Sequence, residues 1–511
     1  MAETRLLVAL QGKSISHSNI SFWRLMLVCL GAVFLFAGAL WLLLHNLDVP
    51  IARDYDEGVY WQTLRAMAGG RGLYDPVFYS QPPFFMFSVF PTYLLLGETI
   101  TAARLGIVVV SLVGLLGAFV LGKALAGYLG AAVAVVLVVT DPLYLTLSQT
   151  LQAEIPCIAF SLLSVALAYT WSIRPLGRAG LLLAASCGVA LSLGCLSKLL
   201  GFSSAVPIGV IILLRWWRLP AGQRADLPRV VGFGVGFFIL MSVVVLLPFV
   251  GSLTELWQGV VVLHLDAGIA YAGQQQGNAA RILPYLRDSL ITYVALYGIA
   301  VAAFRRDRRV VPLIGWLLAT VFLLWRQTPL QAHHIAVLAA PLAAIAVIGI
   351  GGFLPVRKYL GPRTTRLTVV AWSVAMLLVA ATAAQGIANS WHRFEAEESL
   401  FGSTNDSLAA ALDLSGLTQG DHLVITDGQF EAALADRDTP AALVDTSFVR
   451  VTTRFLTDDL VIAEASRPEV GAVLFWSPRL REGLPRFYSW VSTDYLLAKE
   501  YGGGRELWVR K

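Results

Sequence analysis

The chain has 511 residues, of which 57% are hydrophobic and 14% charged. A soluble domain carries roughly 45–50% apolar and about 25% charged residues, so this chain could not cover its core with polar surface in water. The composition excludes disorder, a collagen-like or coiled-coil rod and a disulfide scaffold, and it points to a polytopic α-helical membrane protein. The net charge of +5 is unevenly spread. Residues 1–390 hold 26 basic and 14 acidic residues, net +12, and residues 391–511 hold 12 and 19, net −7. The basic residues fall in short turns between apolar runs, which is not the footprint of a nucleic-acid binder. Cys29, Cys157, Cys187 and Cys195 lie in apolar segments without zinc-site spacing and read as small buried hydrophobes.

A spanning helix needs about 20 mostly apolar residues. In chain order the candidates are 24–45, 101–122, 126–145, 152–173, 179–197, 199–216, 229–251, 290–304, 310–325, 332–353 and 367–388, about eleven in all. The first lacks a signal-cleavage pattern and reads as an anchor. A further apolar run, 83–97, is short, follows Pro82 and contains Pro83 and Pro91. The positive-inside rule decides its role. If it does not span, and the N-terminus is cytoplasmic, the inner side receives 18 basic against 3 acidic residues, among them the Arg305–Arg309 cluster. If it spans, those clusters land outside. We therefore expect 83–97 to be re-entrant or interfacial.

Residues 1–390 are then a transmembrane domain of a multi-pass inner or plasma membrane protein. Residues 395–511 form an extracytoplasmic domain. The latter alternates short strands (422–426, 472–476, 506–509) with helical stretches (407–414, 457–465, 487–501), which predicts a small α/β fold.

Ionisable groups at a membrane rim are costly to dehydrate, so the outer-side charges are the functional candidates. The first outer loop, 45–83, places Asp54, Asp56 and Glu57 just after the first span, ahead of a segment (59–68) with the composition of an interfacial helix. Asp54 or Asp56 would also serve as that helix's N-cap. Glu154 stands at the mouth of its span before Pro156, where a carboxylate favours a helix start in any case. Lys198 sits between two apolar runs; it either snorkels or has an anionic partner. Arg104 and Arg326 fall at the same ends of spans, and His333 and His334 face outward. The loop 252–289 adds His264, Asp266 and an amide run, Gln274 to Asn278, suited to sugar hydroxyls or to a solvated connector. Carboxylates and cations converging on one face suit a substrate with a phosphate in the headgroup zone. A carboxylate takes a proton from the attacking group, and cations stabilise the leaving phosphate.

The order Asp56-Glu57-Gly58-Val59-Tyr60, Gly72-Leu73-Tyr74, Gln81-Pro82-Pro83, Gly97, Arg104-Leu105, Glu154-Ile155-Pro156, Leu196-Ser197-Lys198 and Pro329 to His334 resembles the GT-C superfamily of integral membrane glycosyltransferases. The pattern is similar to bacterial members akin to protein O-mannosyltransferases and lipid A aminoarabinose transferases, and covers roughly residues 20–390. The resemblance implies a GT-C fold and a polyprenyl-phosphate sugar as donor. It implies a glycan, lipid or protein as acceptor, and hexosyl or pentosyl transfer. It makes Asp56 the catalytic base and Glu57 its neighbour shaping the acceptor site. Arg104 and Lys198 would lie near the donor phosphate, Glu154 near the acceptor, and His333 and His334 on the rim. Gln81 departs from the Lys or His of many relatives, so donor binding would lean on Arg104 and Lys198. A single displacement would invert the anomeric carbon. No cofactor is required, and a metal ion is not favoured, although Asp54, Asp56 and Glu57 could hold one. The competing expectation is a transporter or flippase with an accessory domain. Such a protein tends to show internal repeats and midplane binding residues, neither of which is evident here.

Overall fold

The computed structural model describes residues 22–351, 362–402 and 406–511. In lipid every backbone polar group must be satisfied within its own segment, so the apolar runs fold as helices. Among the described residues, eight helices are long and apolar enough to cross a bilayer, or nine if the bent pair Ala272–Asp288 and Leu290–Arg305 is one span. The described residues of the eleven expected segments are mostly helical. Segment 101–122 and most of 126–145 share one stretch, Ile100–Val139, which kinks at Ala126 and Gly127, the latter with φ of 73°; the end of 126–145 falls on a separate short helix, Pro142–Leu147. Segments 290–304 and 310–325 become Leu290–Arg305 and Val310–Arg326, 16 and 17 residues long.

The run 83–97 forms a 13-residue helix, Phe84–Leu96. At 1.5 Å per residue it is about 20 Å long, well short of the roughly 30 Å hydrocarbon core. It lies against the start of Ile100–Val139, with Val89 over Gly106. Tight helix packing recurs at Gly117, where an added Cβ would sit 2.7 Å from the backbone nitrogen of Leu163. Without a hydrophobic drive between helices in lipid, such close backbone contact supplies the association. Cys157, Cys187 and Cys195 are buried as expected, whereas Cys29 is exposed on the first helix, Phe22–Leu44.

Helices Glu154–Ser172 and Val310–Arg326 order the two ends of the bundle. The hydroxyl of Tyr169 donates to the carbonyl of Arg309, and Arg309 Nη1 donates to the carbonyl of Leu125. Arg215 donates to the carbonyls of Trp171 and Arg174. The basic turns thus gather at one end, and Glu154 and Gln327 lie a helix length away at the other. The loop 252–289 is largely helical: Leu253–Ala270 is continuous through one π turn, and Asn278–Asp288 follows. The basic turns that fall in 1–21 and 352–361 lie outside the described residues.

The helix Pro362–Gly402 runs without a break through the composition boundary near residue 390. Beyond it, four strands form one sheet: β1 (Leu423–Thr426), β2 (Val470–Phe475), β3 (Tyr495–Gly502) and β4 (Arg505–Arg510), in the order β1-β2-β4-β3. The first pair is parallel and the other two antiparallel. Alternate residues of β1 and β2 face two separate apolar clusters, one with Phe487 and Val491 and the other with Leu414 and Ala432. Helices therefore cover both faces, which explains why these strands are apolar throughout. The helix expected over 487–501 stops at Asp494. Tyr495 to Gly502 pairs with β4 instead, through a turn in which Gly502, Gly503 and Gly504 all have positive φ.

This α/β unit docks on the helix of the first loop, Tyr55–Ala68. Gln62 donates to the carbonyls of Gln429 and Arg437, Trp61 packs edge-on to Phe430, and Arg65 pairs with Asp436 and Asp438. Gly58 makes the approach possible, because a Cβ there would sit 2.5 Å from the backbone nitrogen of Phe430. Gly58→Val is expected to lower stability by about 1–3 kcal/mol through overpacking. A thermal melt reports it.

Candidate active site

The site starts with the N-terminus of the loop helix. Asp54 is the N-cap: its Oδ1 accepts from the backbone N–H of Asp56 at 2.9 Å. That frees Asp56 from capping. Its side chain remains 34% exposed, toward a cavity of about 600 Å³. Burial within the cavity wall, together with the Asp54 carboxylate, pushes Asp56 up to about 7. Burial acts on Asp54 too, but its hydrogen bond to His333 and the imidazole's charge hold it below the ordinary range.

Glu57, the next residue, turns the other way. It is fully buried and pairs with Arg104, which is also fully buried. Nε of Arg104 donates to Glu57 Oε1 and Nη2 to Oε2, each at 2.9 Å. The remaining N–H groups go to the carbonyls of Leu47, Val49 and Ile51. Glu57 also accepts from the backbone N–H groups of Arg53 and Leu151. Despite its burial, the guanidinium holds Glu57 below the ordinary carboxylate range. All five donors of Arg104 are thus spent, and neither residue lines the cavity. Arg104, expected near a donor phosphate, and Glu57, expected to shape the acceptor site, here bond to each other and lie behind the cavity. Together they fasten the loop helix to the span behind it.

Lys198 ends helix Arg178–Ser197 in extended conformation, and this break turns it into the cavity. Its Nζ donates to Glu154 Oε1, so it has an anionic partner and does not snorkel. Glu154 is fully buried in the first turn of its helix, and its Oε2 has no partner among the described residues. A 3₁₀ turn, His333–Leu338, brings both histidines to the same place. His333 Nδ1 lies 3.1 Å from Asp54 Oδ2, and its Nε2 lies 3.7 Å from Asp56 and 3.8 Å from Glu154. His334 Nε2 is 3.8 Å from Glu154. Gln81 lines the same cavity with a neutral amide.

The structure therefore gathers Asp56, Glu154, Lys198, Gln81, His333 and His334, and separates Glu57 and Arg104 from them. Arg326 is exposed and does not line the cavity. Two sets of side chains, Glu154, His333 and His334, or Asp54, Asp56 and His333, each hold their ligand atoms within 4.8 Å and could hold a metal ion. From the loop 252–289, His264 and Gln274 reach the cavity, while Asn278 is buried and donates to Trp325 and Gln327.

Sequence reasoning missed the residues that the α/β unit adds: Asp445, Ser447 and Arg479 line the cavity too. One signal could have found Arg479. It lies in the first turn of the short helix Pro478–Gly483 that follows β2, at the C-terminal end of a parallel strand pair, where open α/β sheets present functional groups.

A model of the dolichyl-phosphate-mannose-protein mannosyltransferase family matches residues 78–261. No curated protein sequence matches the chain. Among solved structures, ArnT from Cupriavidus metallidurans in the apo state is similar with a TM-score of 0.60 and 14% identity, over 93% of this chain and 97% of ArnT. The same protein bound to undecaprenyl phosphate gives 0.57 and 15%, with the same coverage. The oligosaccharyltransferase of Archaeoglobus fulgidus, in complex with zinc and sulfate, gives 0.50 and 12%, over 93% of this chain and 73% of that one. At these identities the likeness is one of fold, and it spans the α/β unit as well as the bundle.

Removing one partner of a buried ion pair leaves an uncompensated charge, at a cost of about 3–5 kcal/mol. Arg104→Gln is therefore expected to lose folded protein, read as a fall in melting temperature and in monodisperse yield. A phosphate-binding arginine on an open wall would instead leave the melt unchanged.

Proposed function

From the GT-C fold of integral membrane glycosyltransferases, and a family-model match within that superfamily, we propose that this chain moves a hexosyl or pentosyl unit from a polyprenyl-phosphate donor to an acceptor hydroxyl or amine. The cavity faces outward, away from the basic turns, which stay on the cytoplasmic side. The observation that carries the reading is the single cavity in which Asp56, free of capping and pushed up to about 7, shares a wall with Lys198.

The chemistry follows from that placement. The acceptor's proton passes to an Asp56 oxygen as the acceptor atom bonds to the anomeric carbon. The bond from that carbon to the phosphate oxygen breaks, and its electron pair leaves with the polyprenyl phosphate. Lys198 lies where that charge grows, with Glu154 fixing its position. One displacement from the face opposite the leaving group inverts the configuration. His333 ties the Asp54 side of the cavity to Glu154, so it sets the spacing between base and cation. ArnT bound to undecaprenyl phosphate supports a lipid-phosphate donor for this fold.

Asp56 works only as the carboxylate. Its folded pKa lies above the ordinary value, so the competent form is lost as pH falls through about 7. With purified protein and a labelled polyprenyl-phosphate sugar, kcat/KM is expected to rise tenfold per pH unit below about 7 and to level off above it. Asp56→Asn is expected to lower transfer by about 10²–10⁴-fold. A flat profile from pH 5.5 to 8, or full activity in Asp56→Asn, would contradict the assignment of the base.

A further inference from the structure

Besides its histidines, the described wall of the cavity carries one lysine, Lys198, and one arginine, Arg479. Lys198 is paired with Glu154. Arg479 has no carboxylate partner among the described residues. Its Nη1 donates to the hydroxyl of Ser477 at 3.0 Å, and its guanidinium lies over the ring of Tyr55, 3.7 Å from the centroid. Nε and Nη2 donate to no described residue. A planar guanidinium with two adjacent donors unspent matches a phosphate oxygen pair.

The start of the short helix Pro478–Gly483, which carries Arg479, is built to hold it still. Asp427, at the end of β1, is buried. Its Oδ1 accepts from the backbone N–H groups of Trp476 and Ser477 at 2.6 and 3.0 Å. Its Oδ2 accepts from the Ser477 hydroxyl at 2.8 Å and the Leu480 N–H at 3.0 Å. One buried carboxylate therefore fixes four donors around Arg479, and Ser477 passes that order on to the guanidinium. The ring of Tyr55, next to Asp56 in the chain, closes the arrangement from the loop helix.

We propose that Arg479, supplied by the α/β unit, is an anion-binding residue of the cavity and takes a substrate phosphate, with Asp427 as its positioning residue. The inference rests on the glycosyl-transfer reading for its substrate. It also gives the α/β unit a part in the chemistry, because Arg104 is spent on Glu57 and Lys198 meets the phosphate with part of its charge already offset by Glu154. The phosphate is either that of the lipid donor or one carried by a water-borne acceptor.

The test uses the full-length protein in nanodiscs. Undecaprenyl phosphate, neutral undecaprenol and inorganic phosphate are titrated separately against wild type, Arg479→Gln, Arg479→Lys, Asp427→Asn and Arg481→Gln. Arg481 pairs with Glu506 outside the cavity and controls for changes within the unit. Losing a charge-assisted pair of hydrogen bonds is expected to weaken phosphate binding about 10–100-fold in Arg479→Gln, with undecaprenol unaffected. Arg479→Lys retains part of the affinity, and Asp427→Asn loses a smaller factor. A loss for undecaprenyl phosphate assigns the anion to the donor. A loss for inorganic phosphate alone assigns it to the aqueous side. Unchanged binding of both in folded Arg479→Gln overturns the proposal. So does an equal loss of undecaprenol binding, which would make Arg479 a clamp on Tyr55 only. A wild-type protein that ignores undecaprenyl phosphate refutes the glycosyl-transfer reading, and the inorganic phosphate titration then decides Arg479 by itself.

Discussion

The ion pair between Glu57 and Arg104 sets the geometry on which the site depends. Successive residues on a helix point about 100° apart. Once Glu57 is held behind the loop helix by Arg104, Asp56 cannot share that direction and faces the cavity. A buried pair of this kind adds little net stability over apolar packing, but breaking it is costly, so it fixes rotation and register. The three carbonyls of Leu47, Val49 and Ile51 that Arg104 also binds fix the chain leading into the helix. The carboxylate proposed as the base is thus aimed by a neighbour that does not line the cavity.

The loop helix is held from two sides. The bundle grips it through Glu57, and the α/β unit through Gly58, Trp61, Gln62 and Arg65. The same unit returns Asp445 and Arg479 to the cavity wall. A domain with ordinary soluble composition is therefore continuous with the site rather than appended to it. The long helix Pro362–Gly402 carries the chain to that position without a hinge, and Glu397 on it pairs with both Arg53 and Arg393.

Much of this was legible in the residues. Apolar run length reports the helices directly, because lipid leaves the backbone no other way to satisfy itself. Glu154 and Lys198 stood out because a lone charge at the end of an apolar run needs a reason, and they prove to be each other's partner. What sequence could not separate is a rim cation that binds substrate from one that binds the protein. Arg104 and Lys198 look alike as isolated charges, and the partner of Arg104 lies 47 positions away. The N-cap question stayed open for a similar reason: Asp54 and Asp56 are both competent, and only the backbone path picks Asp54. In the α/β unit, Leu496 to Glu500 has the composition of a helix, but pairing with β4 outweighs local propensity. Arg479 carried no signal beyond its place after β2, since its surroundings include Tyr55, more than four hundred residues earlier.

The most direct measurement is an experimental structure with undecaprenyl phosphate bound. The arrangement described here requires the phosphate to lie in the cavity lined by Asp56, Lys198 and Arg479, with its lipid tail leaving between helices. Asp56 would then stand across the reacting carbon from the phosphate, free to meet the acceptor. Phosphate density outside that cavity, for instance in the apolar groove bordered by Trp171, Phe202 and Phe238, would contradict it.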